Sequence, residues 1–206
     1  MTYEICNIHD FGDADYDAMY RAAAPDRQAR ADRFRFEDDR KRCLCADMLA
    51  RRMLAKVADV SPADISFTQG DKGKPYANVP LHFSVSHSGD FVLCAVSEHP
   101  IGADVEQIKP FRAGMVARYF TEVEAAYVWG NSPAPEGNAT DPAICARFYR
   151  VWTAKESYVK MTGTGISTDL TQIRYDHDTQ TVCGIGLITP DAPEGYVISI
   201  LENDLA

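Results

Sequence analysis

A chain of 206 residues with 46% hydrophobic and 25% charged residues can bury a sizeable core, as one domain or two small ones. Its net charge of −9 excludes a general nucleic-acid binder, which needs an excess of lysine and arginine, but leaves room for local basic patches. No apolar stretch is long enough to span a membrane. The start, Met1 to Cys6, lacks the basic flank and apolar run of a signal peptide. The scattered cysteines, Cys6, Cys43, Cys45, Cys94, Cys145 and Cys183, are therefore expected as reduced thiols in a cytoplasmic protein. Cys43 and Cys45 stand two apart on an expected helix and point in different directions, so no zinc site is expected there.

In chain order, Tyr3 to Ile8 reads as a strand. Pro25-Asp26 opens a helical region rich in arginine (Arg27, Arg30, Arg33, Arg35, Arg40, Arg42, Arg51, Arg52), in which Leu44, Met48, Leu49 and Met53 recur at helical spacing. Ser61-Pro62 is a helix-start or turn signal, Ile65 to Phe67 is strand-like, and Gly70 to Pro75 is a loop. Phe83 to Ser86 and Val92 to Val96 are β-rich runs around the turn Ser88-Gly89-Asp90, and Ile101 to Glu106 is a further strand. Thr121-Val123-Glu124 with the intervening Glu122 has the form of a capping box, whose helix should run to about Trp129. Asn131 to Pro142 is a polar loop. Asp141-Pro142 starts a helix running to about Met161, with Gly163 as its cap. Strands are expected at Gln172 to Tyr175, Thr181 to Leu187 and Tyr196 to Leu201, the first two joined by a hairpin turn at His177 to Gln180.

The chemistry sits in short motifs. Asp104 and Glu106 share one face of a strand. A hard cation such as Mg²⁺ takes one or two carboxylates plus substrate phosphates, which suits this spacing, although a solvated strand face suits it too. Glu156 and Lys160 are four apart on a helix, the spacing of a surface ion pair worth about 0.3–0.5 kcal/mol. Trp152, one turn earlier on that face, argues for partial burial. Ser86-His87-Ser88-Gly89 could hold phosphate through side chains and backbone N–H groups, or be an ordinary turn. A serine hydrolase is disfavoured, because adjacent residues rarely have nucleophile–base geometry and no Gly-x-Ser-x-Gly elbow is present. Gly73-Lys74-Pro75 is a ligand loop or a surface loop. Arginines concentrated between 27 and 52 in an acidic protein would be explained by a phosphate-rich ligand, which Arg binds bidentately. Three carboxylates and a lysine converging on one point suggest a divalent metal holding a phosphate.

In this order the motifs resemble the 4′-phosphopantetheinyl transferases of the Sfp type. The carriers of the resemblance are Gly73-Lys74-Pro75, Phe83 to Ser88 with its Ser-His-Ser ending, Gly102 to Glu106 as Gly-x-Asp-x-Glu, and Trp152 to Lys160 as Trp-x-x-Lys-Glu-Ser-x-x-Lys. Arg42-Cys43-Leu44 and Arg118-Tyr119-Phe120-Thr121 also fit. The resemblance spans about residues 25 to 170.

The resemblance implies an α+β fold of two similar α/β lobes in a pseudo-twofold arrangement within one chain. The lobes are expected over 1–98 and 99–206, with coenzyme A at their junction. It implies transfer of the phosphopantetheine arm of coenzyme A to a serine of an apo acyl or peptidyl carrier protein, leaving adenosine 3′,5′-bisphosphate. By resemblance, Asp104, Glu106 and Glu156 hold Mg²⁺ (or Mn²⁺). Lys160 contacts the pyrophosphate, and Glu156 is also a candidate base. Ser86 and His87 face coenzyme A, His87 at a phosphate. Lys74 and Pro75 line the adenine side, and Arg27, Arg30 and Arg42 surround the ribose 3′-phosphate. The first two of these are arginines where the family's best-known pattern has lysine. Gly163-Thr164-Gly165 stands where the family has Gly-Lys-Gly. The implied protein is a monomer that binds neither nucleic acid nor membrane. Met115, Val116, Tyr119 and Phe120 are candidates for the carrier surface or for a core-facing stripe. The rival readings are another Mg²⁺-dependent enzyme acting on a nucleotide or pyrophosphate, a non-catalytic binding module and a plain interaction domain. A P-loop NTPase is disfavoured by the absence of its Gly-rich lysine loop.

Overall fold

The computed structural model describes residues 1–70, 73–165 and 168–204. Its first half runs β1 (Thr2–Asn7), α1 (Asp13–Ala22), α2 (Pro25–Ala31), α3 (Glu37–Ala58), β2 (Phe67–Gln69), β3 (Pro75–Ala77), β4 (His82–Ser88) and β5 (Phe91–Ser97). Proline at its first position starts α2. Leu44, Leu49 and Met53 form the buried stripe of α3, with Met48 half-buried beside them. Helix α1 was not expected from the sequence. It fully buries only Tyr16, whose hydroxyl donates to the Ile8 carbonyl, with Met19 and Tyr20 partly buried beside it.

Antiparallel strands β1-β5-β4 form a sheet with β5 in the middle. The run from Val92 to Val96 is apolar throughout because β5 is covered on both faces. Val92, Cys94 and Val96 pack on the cluster built around α3. Leu93 and Ala95 turn the other way, onto Ile101, Ala103, Val105, Ile198 and Ile200 of the second half.

That half runs β6 (Ile101–Gln107), β7 (Phe111–Arg112), α4 (Gly114–Tyr119), α5 (Glu122–Trp129), β8 (Asn138–Ala139), α6 (Pro142–Thr162), β9 (Tyr175–Asp176), β10 (Thr181–Val182), β11 (Ile185–Ile188) and β12 (Tyr196–Glu202). Its sheet has the order β6-β12-β11-β10-β9, with α6 across the outer face. The layers are therefore helix, sheet, sheet, helix, and the inner faces of the two sheets meet.

The capping box of α5 and the Asp141-Pro142 start of α6 form as expected, and Gly163 ends α6 with φ 67°. Two expected strands are shorter than their apolar runs. Leu170–Gln172 makes a 3₁₀ turn capped by Asp169, leaving only Tyr175–Asp176 as strand. The run from Thr181 to Leu187 is broken by a two-residue turn at Cys183 (φ 50°) and Gly184 (φ 82°), which pairs Val182 with Ile185. Positive φ at both central residues is what such a tight hairpin needs, and a cysteine there carries no turn signal.

Gly102 sets how closely α6 approaches β6. A Cβ at Gly102 would lie 1.8 Å from the Ser157 carbonyl oxygen and 2.5 Å from the Met161 nitrogen, both helix backbone. Gly102→Ala is expected to destabilise the protein by about 3 kcal/mol, the upper part of the overpacking range, read as a fall in the urea midpoint. An unchanged midpoint would show that α6 can shift freely.

Candidate active site at the lobe junction

The site grows from the contact between β4 and β6, which belong to different sheets. Side chains of β4, not a backbone ladder, join them. Alternation puts Ser84, Ser86 and Ser88 on the face towards β6. Ser84 Oγ accepts from the Ala103 N–H at 2.9 Å, Ser86 Oγ donates to Asp104 Oδ1 at 2.6 Å, and Ser88 Oγ donates to Glu106 Oε2 at 2.6 Å.

Asp104 is only 3% exposed. Its Oδ1 also receives the Lys160 ammonium at 2.7 Å, while its Oδ2 is buried and, among the described residues, accepts nothing. Lys160 Nζ further donates to the Ala103 carbonyl at 3.2 Å. Glu106 and Glu156 line the same cleft of about 480 Å³, together with Ser86, His87, Asp104 and Lys160. Burial raises the Glu156 carboxyl above its ordinary value, and the Asp104 charge adds to it. Burial likewise raises Glu106, with Ser88 opposing and Asp104 reinforcing the shift. One lysine thus faces three crowded acids, an excess of negative charge that a cation would relieve. The acids do not each bring one oxygen to within 4.8 Å of the others, as the ligand atoms of Asp176, His177 and Asp178 do on the surface, where the two aspartates are exposed. Lys160 holds one oxygen of Asp104, and Ser88 holds one oxygen of Glu106. Tyr119, Trp152, Val159 and Leu170 give the cleft an apolar wall.

The cleft continues in two directions. His87 and Val85 also line a pocket of about 170 Å³ that holds Arg27, Arg30 and Pro75. Glu156, Val159 and Lys160 also line one of about 340 Å³ bounded by Lys74, Pro75 and Gly163. Burial lowers the His87 imidazole below its ordinary value, helped by the positive charges of Lys160, Arg42 and Arg30. His87 is therefore neutral at pH 7.

The expected basic residues divide. Arg30 lines the smaller pocket and, among the described residues, its side chain makes no hydrogen bond or ion pair. Arg27 lines it too but is held by buried Asp47 at 3.4 Å. Arg42 does not line it, contrary to expectation. Its guanidinium donates to the Gly89 carbonyl and to Asp39 Oδ1, both at 2.6 Å, because Asp39 lies one helical turn away. Lys74 lines the larger side pocket beside Pro75, with its ammonium already engaged. Its ammonium donates to the Lys160 and Met161 carbonyls, at 2.6 and 2.9 Å, in the last turn of α6. Those carbonyls have no partner within their own helix and sit at its negative end, so they draw the lysine in. Pro75 lines both side pockets.

Sequence reasoning missed three further groups. Ser88 was read as part of a candidate phosphate turn and Ser84 as a strand residue, neither as a partner of β6. Lys155, beside Glu156, points about 100° away around α6 and is fully buried against Glu124 at 2.6 Å. Glu124, recognised only as a capping residue, accepts from Thr121 N–H and Tyr175 N–H as well. Val116 and Phe120 are buried and belong to the core stripe, whereas Met115 and Tyr119 are half-buried.

Comparison with known proteins agrees along both halves. The 4′-phosphopantetheinyl transferase superfamily matches residues 100–202, and the N-terminal part of 4′-phosphopantetheinyl transferase matches residues 12–99. A 4′-phosphopantetheinyl transferase of Bacillus subtilis is 34% identical over 184 residues, covering 87% of this chain and 75% of that protein. The 4′-phosphopantetheinyl transferase Sfp of Bacillus subtilis strain 168 is 30% identical over 185 residues, 88% of this chain and 77% of that one. The 4′-phosphopantetheinyl transferase gsp of Aneurinibacillus migulanus is 32% identical over 169 residues, 78% and 68% respectively. With the acidic cleft, the arginine pocket and the two lobes all within the matched span, the chain belongs to the 4′-phosphopantetheinyl transferases of the Sfp type.

Proposed function

We propose that the enzyme takes the phosphopantetheine arm from coenzyme A, places it on a serine hydroxyl of an apo acyl or peptidyl carrier protein, and releases adenosine 3′,5′-bisphosphate. The observation that carries this reading is the orphaned Oδ2 of Asp104, buried beside Glu106, Glu156 and Lys160 in a cleft that opens onto an arginine pocket. An all-oxygen set of Asp104, Glu106 and Glu156 fits a hard cation, Mg²⁺ or Mn²⁺. Such a cation, when bound, would neutralise the charge that builds on the pyrophosphate as the bridging oxygen leaves.

The protein's own residues supply the rest. Lys160 faces the pyrophosphate with a positive charge. Glu156, its carboxyl raised by burial, is a ligand that also suits the role of base for the attacking hydroxyl. Arg30, with Arg27 and neutral His87, surrounds the ribose 3′-phosphate, and Pro75 borders the adenine. Tyr119 and Trp152 wall the side on which the arm and the carrier serine would lie. The division into lobes near residue 99 is supported by the two sheets. Action as a monomer is supported by a cleft built from one chain. A cytoplasmic setting is supported by free thiols at all six cysteines. Among the described residues no helix is long and apolar enough to cross a membrane.

Incubation of the protein with coenzyme A, Mg²⁺ and apo carrier proteins of several kinds, followed by mass spectrometry of the carriers, should show addition of one phosphopantetheine group. If no acyl or peptidyl carrier gains that mass, the transferase reading of this site fails.

A further inference from the structure

Ser88 is fixed from two sides. The Gln107 N–H donates to Ser88 Oγ at 3.1 Å, which leaves the hydroxyl hydrogen free to point at Glu106 Oε2, 2.6 Å away. The hydroxyl is thus directed by the backbone of the same strand that carries Glu106. Ser86 repeats the arrangement one step along, donating to Asp104 Oδ1. Ser84, one step further, touches only the Ala103 backbone. All three sit on one face of β4, and only Ser86 and Ser88 meet carboxylates.

We propose that Ser88 is a positioning residue: it holds the Glu106 carboxylate in the orientation in which, with Asp104, it takes up a divalent cation. This rests on the reading of the acidic cleft as a cation site. The alternative is that the serines merely fasten the two sheets together, and Ser84 provides the control for it. It lies on the same strand at the same junction, but it contacts no acid. Outer-shell hydrogen bonds of this kind typically carry 10- to 100-fold in metal affinity.

The test uses Mn²⁺ alone as probe, with the whole protein and no coenzyme A, and reads bound against free Mn²⁺ by electron paramagnetic resonance. Urea unfolding is run in parallel. Ser88→Ala is expected to weaken Mn²⁺ binding by about 10-fold or more, and Ser88→Thr to restore wild-type affinity. Ser84→Ala should lower the urea midpoint and leave the affinity unchanged. Should Ser88→Ala fail to fold, Ser88→Cys, nearly isosteric but with a weak donor, is expected to show the same loss. Wild-type affinity in folded Ser88→Ala or Ser88→Cys, with binding lost in Asp104→Asn, would overturn this role and leave the cation reading standing. Equal losses of affinity in the Ser84 and Ser88 variants would also overturn it, as a fastening effect. A wild-type protein that takes no Mn²⁺, or binds it equally well as Asp104→Asn, would overturn both readings together.

Discussion

Asp104→Asn is expected to slow carrier modification by at least about 10²–10³-fold while the protein unfolds at or above the wild-type temperature. The activity loss follows from removing charge at the most buried acid of the cleft. Asparagine keeps the shape and still accepts from Ser86. The stability expectation follows from crowding. Glu156 and Glu106 are raised above their ordinary values, by burial first and by the Asp104 charge in addition. A carboxyl raised in the folded state costs stability once pH exceeds its folded value, and costs nothing below its unfolded value. Neutralising Asp104 removes part of that cost at pH 7. Lys160, left without its partner, remains partly open to solvent and can hydrate. The advantage of the variant should therefore shrink as pH falls towards about 4.5, the ordinary glutamate value. Mass spectrometry of the carrier gives the rate, and thermal unfolding followed by circular dichroism gives the stability. A near-normal rate would remove Asp104 from the reacting centre. A large fall in melting temperature would make the Lys160 bridge structural.

Lys155→Met is expected to cost about 3–5 kcal/mol, the range for breaking a buried pair from one side. The Lys155 ammonium is within 2.6 Å of Glu124 Oε2 and donates to the carbonyls of Tyr119 and Leu170, at 3.0 and 2.9 Å. It also lies over the Phe120 ring. Burial pushes the ammonium below its ordinary value, and the hydrogen bond and charge of Glu124 push against it. Methionine fills the space but leaves the buried Glu124 carboxylate without its counter-charge and takes a donor from the Tyr119 and Leu170 carbonyls. The double change Lys155→Met with Glu124→Gln removes the uncompensated charge and should recover part of the loss. Urea denaturation of both variants measures this. A loss below about 1 kcal/mol in the single variant would place the pair in the class of exposed bridges. Tyr119 and Leu170 also line the active cleft. The same variant should therefore lose activity even at temperatures where it remains folded.

Lys155 and Glu156 also show where sequence reading stops. Both belong to one motif, and local spacing places them on α6 next to a tryptophan. The pitch of the helix means that only one of them can face the cleft. The other lies against α5 and the segment after α6, which the motif does not contain. Arg42 and Lys74 make the same point from the other lobe. Their charge was legible, but whether a guanidinium meets Asp39 or a phosphate, or an ammonium meets helix carbonyls or adenine, depends on which acceptor folding brings nearest. Helix α1 was missed although Tyr16, Met19 and Tyr20 stand at helical spacing, because a stripe of three residues in a ten-residue helix is a short signal.

What the residues alone determined is the order of strong local patterns: the strand around Val92 to Val96, the capped helices at Thr121 and Asp141, and the acids at 104, 106 and 156 with Lys160. These depend on periodicity, capping chemistry and residue type, all of which act within a few positions of the chain. Only the tertiary structure decided which charges were already satisfied and which still faced the cleft. Long-range packing put Ser86 and Ser88 of β4 on the acids of β6, spent Arg42 and Lys74 on neighbouring acceptors, and left Asp104 Oδ2 buried without a partner among the described residues. A charge pairs with what lies within a few ångströms of it, and that neighbourhood is set by the meeting of two lobes whose contacting residues are far apart in sequence.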